Sequence, residues 1–308
     1  MRVIITGGTG MLGGALASSL VEDGHEVIVP SRNPEKKKHG LPAQVRLTPW
    51  DGRTANGWSK FIEGADAIVN LAGERLAGPN PFAFRWTEER KRRIKESRQN
   101  AGQAILQAVQ RAGVKPKVLI QASGVDYYAS TNTHATEASP PGDDFLSEVC
   151  ANFWELSTQQ VEAQGVRRAV IRMGPVLNAH DGALPPLVLQ TRLFLGGPIG
   201  TGKQWFSWIH SDDVVSAIRT LITRSDASGI YNLTAPNPLT NADFSRVLGR
   251  VLGRPSYLPL PAFVMKLIFG EMAQTLLQGP RALPQRLQEM GFKFQFPEAE
   301  TALRDLLR

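Results

Sequence analysis

At 308 residues the chain is long enough for one large domain or two ordinary ones, and 42% hydrophobic residues with 29 Gly and 21 Pro describe a globular protein rich in tight turns, not a disordered or fibrous one. No apolar run reaches the roughly 18 residues of a membrane span, and the N-terminus enters a strand pattern without a charged leader, so the expectation is a soluble cytoplasmic protein with no membrane partner. The net charge of +7 suits nucleic acid or a multiply charged phosphate ligand. The densest basic stretch, Arg85 to Gln99, interleaves Glu88, Glu89 and Glu96 and has helical character, which reads as a solvated helix face and predicts no nucleic-acid partner.

In chain order, strands are expected at Arg2 to Thr6, Glu26 to Pro30, Gln44 to Thr48, Ala67 to Leu71, Lys117 to Ala122 and Arg168 to Met173. Helical stretches alternate with them. Leu12 to Glu22 and Arg98 to Ala112 each end at a glycine, Gly24 and Gly113, and a third runs from Phe145 to Gln164. This βα rhythm predicts an α/β fold, a doubly wound parallel sheet with helices on both faces.

After Gly174 the texture turns Pro- and Gly-rich. A helix capped by the Ser211 hydroxyl, with Asp212 and Asp213 in its first turn, then leads into the strand GIYNLTA. From Asn241 the chain is mostly helical, with candidates at Asp243 to Leu252 and Ala262 to Gln278 between prolines. The predicted division is a nucleotide-binding domain over 1–178, completed by about 211–235, and a smaller, mostly helical substrate-side domain from 179–210 and 236–308.

The chemistry-bearing motif comes first in the chain. In MRVIITGGTGMLGG, glycines follow a strand and open a helix: Gly8, Gly10 and Gly13 give GxGxxG, while Gly7, Gly10 and Gly13 give the open GxxGxxG form. Such a turn needs unusual backbone angles, and a side chain in it would keep a pyrophosphate away from the amides at the positive helix end. Gly7, Gly8, Thr9, Gly10, Met11, Leu12 and Gly13 are therefore the expected dinucleotide loop of an extended Rossmann domain.

At the end of the second strand an acidic residue would bind the NAD ribose hydroxyls and repel a 2′-phosphate. VIVPSRNP has none there. Ser31 and Arg32 instead offer a hydroxyl and a guanidinium for a phosphomonoester, so the expected cofactor is NADP(H).

TGGTGMLG, NLAG at Asn70 to Gly73 and ASGVDYY resemble the short-chain dehydrogenase/reductase superfamily. The run from SPPGDDFLSEVC through RMGPVL and GGPIGTGKQWFSWIH to the C-terminal helices is similar to its atypical, epimerase-like branch, which adds a small C-terminal domain of poorly known function. The resemblance covers essentially the whole chain. It implies that Leu71 and Ala72 lie against the adenosine half of the cofactor, and that Gly73 lets the loop pass closely. It also implies that Arg98, of the Ser97–Arg98 pair, faces the cofactor, and that Val176 borders the nicotinamide. Asn70 or Val176 serving packing alone is the plain alternative.

The superfamily's usual chemistry uses a tyrosine and a lysine four residues later. The four residues following Tyr127, Tyr128, Tyr231 and Tyr257 at that spacing are Thr131, Asn132, Ala235 and Pro261, so no YxxxK exists. The helix FLSEVCANFWE, where the pair would sit, has neither residue type. Ser123 with Tyr128, and Tyr127 beside it, are the candidate catalytic groups; buried structural hydrogen bonding is the competing role for each. Lys203, Trp205 and His210 are expected over the substrate cleft, with helix initiation the alternative for His210. The lone Cys150 reads as a buried inert thiol, and the five histidines show no metal-ligand spacing, so no metal is expected. The functional expectation is an NADP(H)-dependent oxidoreductase or epimerase-like enzyme on an unknown small molecule, with a catalytically silent NADP(H) sensor or scaffold as the alternative.

Overall fold

The computed structural model describes residues 1–35, 40–77, 84–131 and 133–308. Seven strands build one sheet: β1 (Arg2–Thr6), β2 (Glu26–Ser31), β3 (Arg46–Pro49), β4 (Ala67–Asn70), β5 (Val118–Gly124), β6 (Arg167–Met173) and β7 (Gly229–Leu233). Their order is β7-β6-β5-β4-β1-β2-β3, all parallel. The central strands RVIIT, AIVN and VLIQASG are buried along nearly their whole length, as a sheet covered on both faces requires.

One face carries α1 (Met11–Glu22) and, later in the chain, α5 (Ser211–Thr223), with Leu16 and Leu20 meeting Val214, Ile218 and Leu221 in a core with Val3, Ile5 and Val29. The other face carries α2 (Glu88–Arg111) and the helix that opens as α3 (Phe145–Glu148). That helix continues through a π segment, Val149–Glu155, and a tight 3₁₀ segment, Leu156–Gln164. The strand order reverses between β1 and β4. The carboxyl ends of these strands are where a doubly wound sheet opens a crevice for ligands.

The C-terminal part is helical. α4 (Leu184–Arg192), α6 (Asn241–Leu252) and α8 (Ala299–Leu306) share a core around Trp208, Phe244 and Leu303. α7 (Ala262–Phe269) packs Met265 against Ile199 and Ala273. The helix expected to run unbroken from Ala262 to Gln278 is interrupted at Gly270, whose φ of +59° an α-helix does not tolerate; shorter turns, Gly270–Ala273 and Gln274–Leu277, follow.

Helix ends differ from the sequence expectation in two instructive places. Gly113 is not a left-handed cap: α2 ends on an extended Ala112, and the carboxylate of Glu63 accepts the amides of Gly113 and Val114, each at 2.8 Å. Ser211 is not the cap of α5; the His210 ring is, its Nδ1 accepting the Asp212 amide at 3.1 Å. The acidic first turn is present as expected, and Asp213 reaches across to accept the amides of Gln295 and Phe296. Among the described residues no helix is long and apolar enough to cross a membrane.

Candidate functional site

The glycine loop joins β1 to α1 so tightly that side chains are excluded by geometry. Gly7 has φ +72°, and a Cβ on it would sit 2.7 Å from the backbone carbon of Leu71; a Cβ on Gly13 would sit 2.5 Å from the Gly7 carbonyl oxygen. Gly8 is crowded as well, a Cβ there falling 2.6 Å from Val29 Cγ2, whereas Gly10 meets only the Gly7 carbonyl oxygen at 3.3 Å, so the packing requires glycine at 7, 8 and 13 and does not choose between the two motif registers. Gly10 precedes α1 with extended angles and no side-chain cap, so the first-turn amides stay free to bind an anion. Thr9 and Gly10 are exposed, and Met11 and Leu12 half-buried, beside that helix end.

At the end of β2, Ser31 is half-buried and its hydroxyl accepts the Asn33 amide at 3.2 Å, while Arg32 is exposed and has no carboxylate partner among the described residues. A phosphomonoester finds a free cation and a hydroxyl at this corner.

Beyond β4, Leu71 and Ala72 are half-buried and Gly73 exposed. The Ser97–Arg98 pair shapes this segment directly: Ser97 Oγ accepts the Glu74 amide at 2.9 Å, and Arg98 Nη1 donates to the carbonyls of Glu74 at 3.2 Å and Ile94 at 3.0 Å. The Arg98 guanidinium lies 4.3 Å from the Trp154 ring centre and close under Gly73, where a Cβ would fall 3.2 Å from its Cζ. Burial lowers its pKa to about 10, and its buried Nε has no partner. The rest of that basic helix is not uniformly solvated. Arg90 is buried too and holds the carbonyls of Leu76 and Ala77, while Arg92, Lys91 and Lys95 are paired with Glu89, Glu271 and Glu148.

Two buried polar chains fix the strand ends. Thr6 donates to Asn70 at 2.6 Å, Asn70 to Gln121 at 2.9 Å, and Thr158 to Gln121 at 3.0 Å, so Asn70 serves the framework of the loop it precedes. In the second chain, Ser123 Oγ donates to Glu155 Oε1 at 2.7 Å, and Glu155 receives Arg172 bidentately at 2.8 and 2.9 Å. Arg172 also donates to the Tyr128 hydroxyl at 2.9 Å, which donates to Asn232 at 2.7 Å. Tyr127 covers the guanidinium, 3.3 Å from its ring centre.

Ser123, Tyr128 and Tyr127 are therefore brought together around Arg172, and of the three only Tyr128 also lines the neighbouring cleft. The Ser123 and Tyr128 hydroxyls are spent on the chain's own network, and burial pushes the Tyr128 phenol up to about 12, the reverse of what a catalytic tyrosine needs. Glu155 closes the π segment, and that local widening belongs to the helix that carries the proton-relay pair in the superfamily. Here the helix gives Glu155 to Arg172, Trp154 to Arg98 and Cys150 to the interior; burial pushes the Cys150 thiol up to about 12, which keeps it inert.

What does face open space is a shallow cleft lined by Trp86, Asp126, Tyr128 and Asp144 and, from the C-terminal part, Gln274 and Gln278. Asp126 stands two residues beyond β5. Its Oδ2 is 3.3 Å, and the Cys150 Sγ 3.6 Å, from the place a Gly124 Cβ would take. Burial raises the Asp126 carboxyl to about 6, and the Asp144 charge adds to it while Arg98 opposes. Asp144 itself caps α3, accepting the Ser147 amide at 2.8 Å.

Asp126 lies within ASGVDYY, immediately before the two tyrosines that were the expected catalytic groups. The expected cover residues fall elsewhere. Lys203 is exposed, Trp205 lies under Arg281 at 4.3 Å, and His210 is buried against Phe296, 3.9 Å between ring centres. Val176 is half-buried, pairing with Ile209 just after the end of β6. His210, Asp212 and Asp305 approach one another closely enough to suggest a cation site, but the Nδ1 lone pair is used by the Asp212 amide and Nε2 faces Asp305 at 3.5 Å, an arrangement that fits a helix cap.

A parallel doubly wound sheet with a glycine-lined loop at its first turn and a cleft over the next strand ends defines a dinucleotide-fold protein of the short-chain dehydrogenase/reductase type. Residues 3–234 match the NAD dependent epimerase/dehydratase family, and residues 260–306 a domain of unknown function, DUF1731; the chain belongs to that epimerase/dehydratase family. It is 38% identical over its whole length to the chloroplastic epimerase family protein SDR39U1 homolog of Arabidopsis thaliana, covering 87% of that protein. It is 37% identical to human SDR39U1 over 100% of both chains. The crystal structure of the human protein with NADPH superposes with a TM-score of 0.88 at 36% identity, over 99% of each chain. A Corynebacterium glutamicum nucleoside-diphosphate sugar epimerase gives 0.76 at 32% identity, over 99% of this chain and 58% of that one.

Proposed function

We propose that the protein is an NADP(H)-dependent oxidoreductase or epimerase acting on a small carbonyl or hydroxyl compound held between the end of β5 and the C-terminal helices. One observation carries this reading: the glycine cradle and the Asp126 cleft open along the same carboxyl edge of the sheet. The amides at the start of α1 hold the pyrophosphate, and Ser31 with Arg32 take the 2′-phosphate, in accord with the NADPH of the human relative. Leu71, Ala72 and Gly73 flank the adenosine half, Arg98 supports that segment from below, and Val176 borders the nicotinamide.

NADP(H) supplies the hydride when bound. The protein's own task is to orient the substrate and move a proton. Asp126 is the group free to do so: with a pKa of about 6 it holds a proton under mildly acid conditions and accepts one under neutral conditions. Ser123, Tyr128 and Tyr127 keep Arg172 and the end of β5 in place beneath it.

A panel of aldehydes, ketones and sugar nucleotides offered with NADPH tests the proposal by loss of absorbance at the nicotinamide band. Turnover that weakens as pH rises past about 6, and that loses this pH dependence in Asp126→Asn, is the expected result. Saturable NADPH binding with no turnover on any member of the panel would instead favour a sensor role.

A further inference from the structure

Large exposed hydrophobic side chains are unevenly spread over the described residues. Nine of the twelve fall in two stretches, around the end of α4 and around α7, among them Phe194 at 58% exposure, Tyr257 at 77%, Phe263 at 70% and Leu267 at 68%. The two stretches are stitched into one surface. The Leu258 amide donates to the Gly196 carbonyl at 3.0 Å, Leu260 to Pro198 at 2.9 Å and Gly200 to Leu260 at 2.8 Å, and the Arg254 guanidinium lies 4.9 Å from the Phe194 ring centre.

Inward-facing residues of α4 and α7, Leu187 and Met265, share a core cluster with Ile199; Leu193 on the turn after α4 and Phe263 and Leu267 on α7 remain outside it. Phe194 follows the end of α4 at φ +63°, a left-handed position that glycine usually fills, so the chain places a phenyl ring on the surface where packing gives no reason for one.

The two stretches are also one-sided in charge. No acidic residue occurs between Asp181 and Asp212, nor between Asp243 and Glu271. Arg192, Lys203, Arg254 and Lys266, which these stretches carry, are exposed and have no carboxylate partner among the described residues. A two-fold contact between copies would set a cation-bearing, acid-free face against its own likeness, with nothing of opposite sign to meet it. Side chains that keep half or more of their surface project outward and do not line a groove shaped for a partner helix. Projecting Phe and Leu among unpaired Arg and Lys are what a fluid, negatively charged interface accommodates.

We propose that this face, formed by the end of α4, the strand-like segment 254–260 and α7, docks the protein peripherally on anionic phospholipid, with Phe194, Phe263 and Leu267 entering the headgroup boundary and Arg192, Arg254 and Lys266 among the phosphates. It departs from the expectation of no membrane partner, which rested on the lack of a spanning segment, since peripheral docking requires none, and it does not rest on the catalytic reading.

Co-sedimentation of the full chain with vesicles of phosphatidylglycerol and phosphatidylcholine tests it. The expected result is pelleting with the anionic vesicles, falling about tenfold or more on pure phosphatidylcholine or in roughly 0.5 M salt, where surface charges are screened. Phe263→Ser with Leu267→Ser, and separately Arg254→Glu with Lys266→Glu, lose the pelleting while NADPH affinity, measured as a check on folding, stays unchanged. Protein that stays in the supernatant with anionic vesicles overturns the proposal. So does pelleting indifferent to both double variants, or a stable dimer in solution that Phe263→Asp converts to monomers, which would give the face to a second copy.

Discussion

The sheet's two sides at the switch point solve opposite problems. On the β1–β2 side the chain removes side chains, so that free amides at the start of α1 and the corner at Ser31 and Arg32 meet a ligand. On the β5–β6 side it fills the space with a buried ion pair, Arg172 and Glu155, tied to Ser123, Tyr128 and Asn232. An empty cradle is legible as a binding site from its glycines alone. A packed polar network is legible only once its partners are known, because the same Ser and Tyr serve equally well as catalytic groups or as struts.

Breaking the packed side gives the largest effect. Glu155→Ala strands a guanidinium that is 1% exposed and leaves the Ser123 hydroxyl without its acceptor, so unfolding free energy falls by about 3–5 kcal/mol in a denaturant titration. A loss under about 1 kcal/mol would show that the pair is not the keystone of this side. Breaking the open side strikes binding through the local backbone: Gly13→Val drives a branched side chain against the Gly7 carbonyl, the β1–α1 turn must shift, and NADPH affinity drops about 100-fold or more, roughly 3 kcal/mol, by fluorescence titration.

Asp126 sharpens the comparison at the junction of the two. Its folded pKa is raised to about 6 from 3.8, so the folded chain keeps a proton that the unfolded chain has released, and stability falls as pH rises through the window from about 4 to 6. Asp126→Asn removes that slope. The variant is more stable than the parent by on the order of 1–3 kcal/mol at pH 8, and the gap closes below about pH 4. Asp144, Arg98 and Cys150 are the charged or titratable neighbours, so parallel stability curves for parent and variant would mean that Asp126 is solvated as an ordinary carboxylate.

How much the sequence disclosed follows the same division. Runs such as RVIIT and AIVN, apolar on both faces, identified the parallel strands, and the displaced boundaries, β3 at Arg46–Pro49 for one, are shifts of a residue or two. Ser211 was the expected cap of α5, and helix initiation was only the alternative for His210; the ring takes the role because its Nδ1 can accept an amide as a hydroxyl does. Asp126 was hidden for another reason. One carboxylate on a loop has no sequence signature; its raised pKa comes from the buried surroundings that the fold assembles around it and, after them, from the Asp144 charge. Likewise Gln274 and Gln278 line the cleft from the short turns that follow the break at Gly270, which the expected unbroken helix did not foresee.

The corner at the end of β2 decides the central claim, that this is an NADP(H) protein of its family and not an NAD one. Competitive titration of NADPH and NADH against the parent and Arg32→Ala measures it directly. The account predicts that NADPH binds the parent about tenfold tighter or more, a difference of roughly 1.4 kcal/mol, and that Arg32→Ala removes most of this preference by weakening NADPH and leaving NADH nearly unchanged. Equal affinities in the parent, or a preference for NADH, would contradict it.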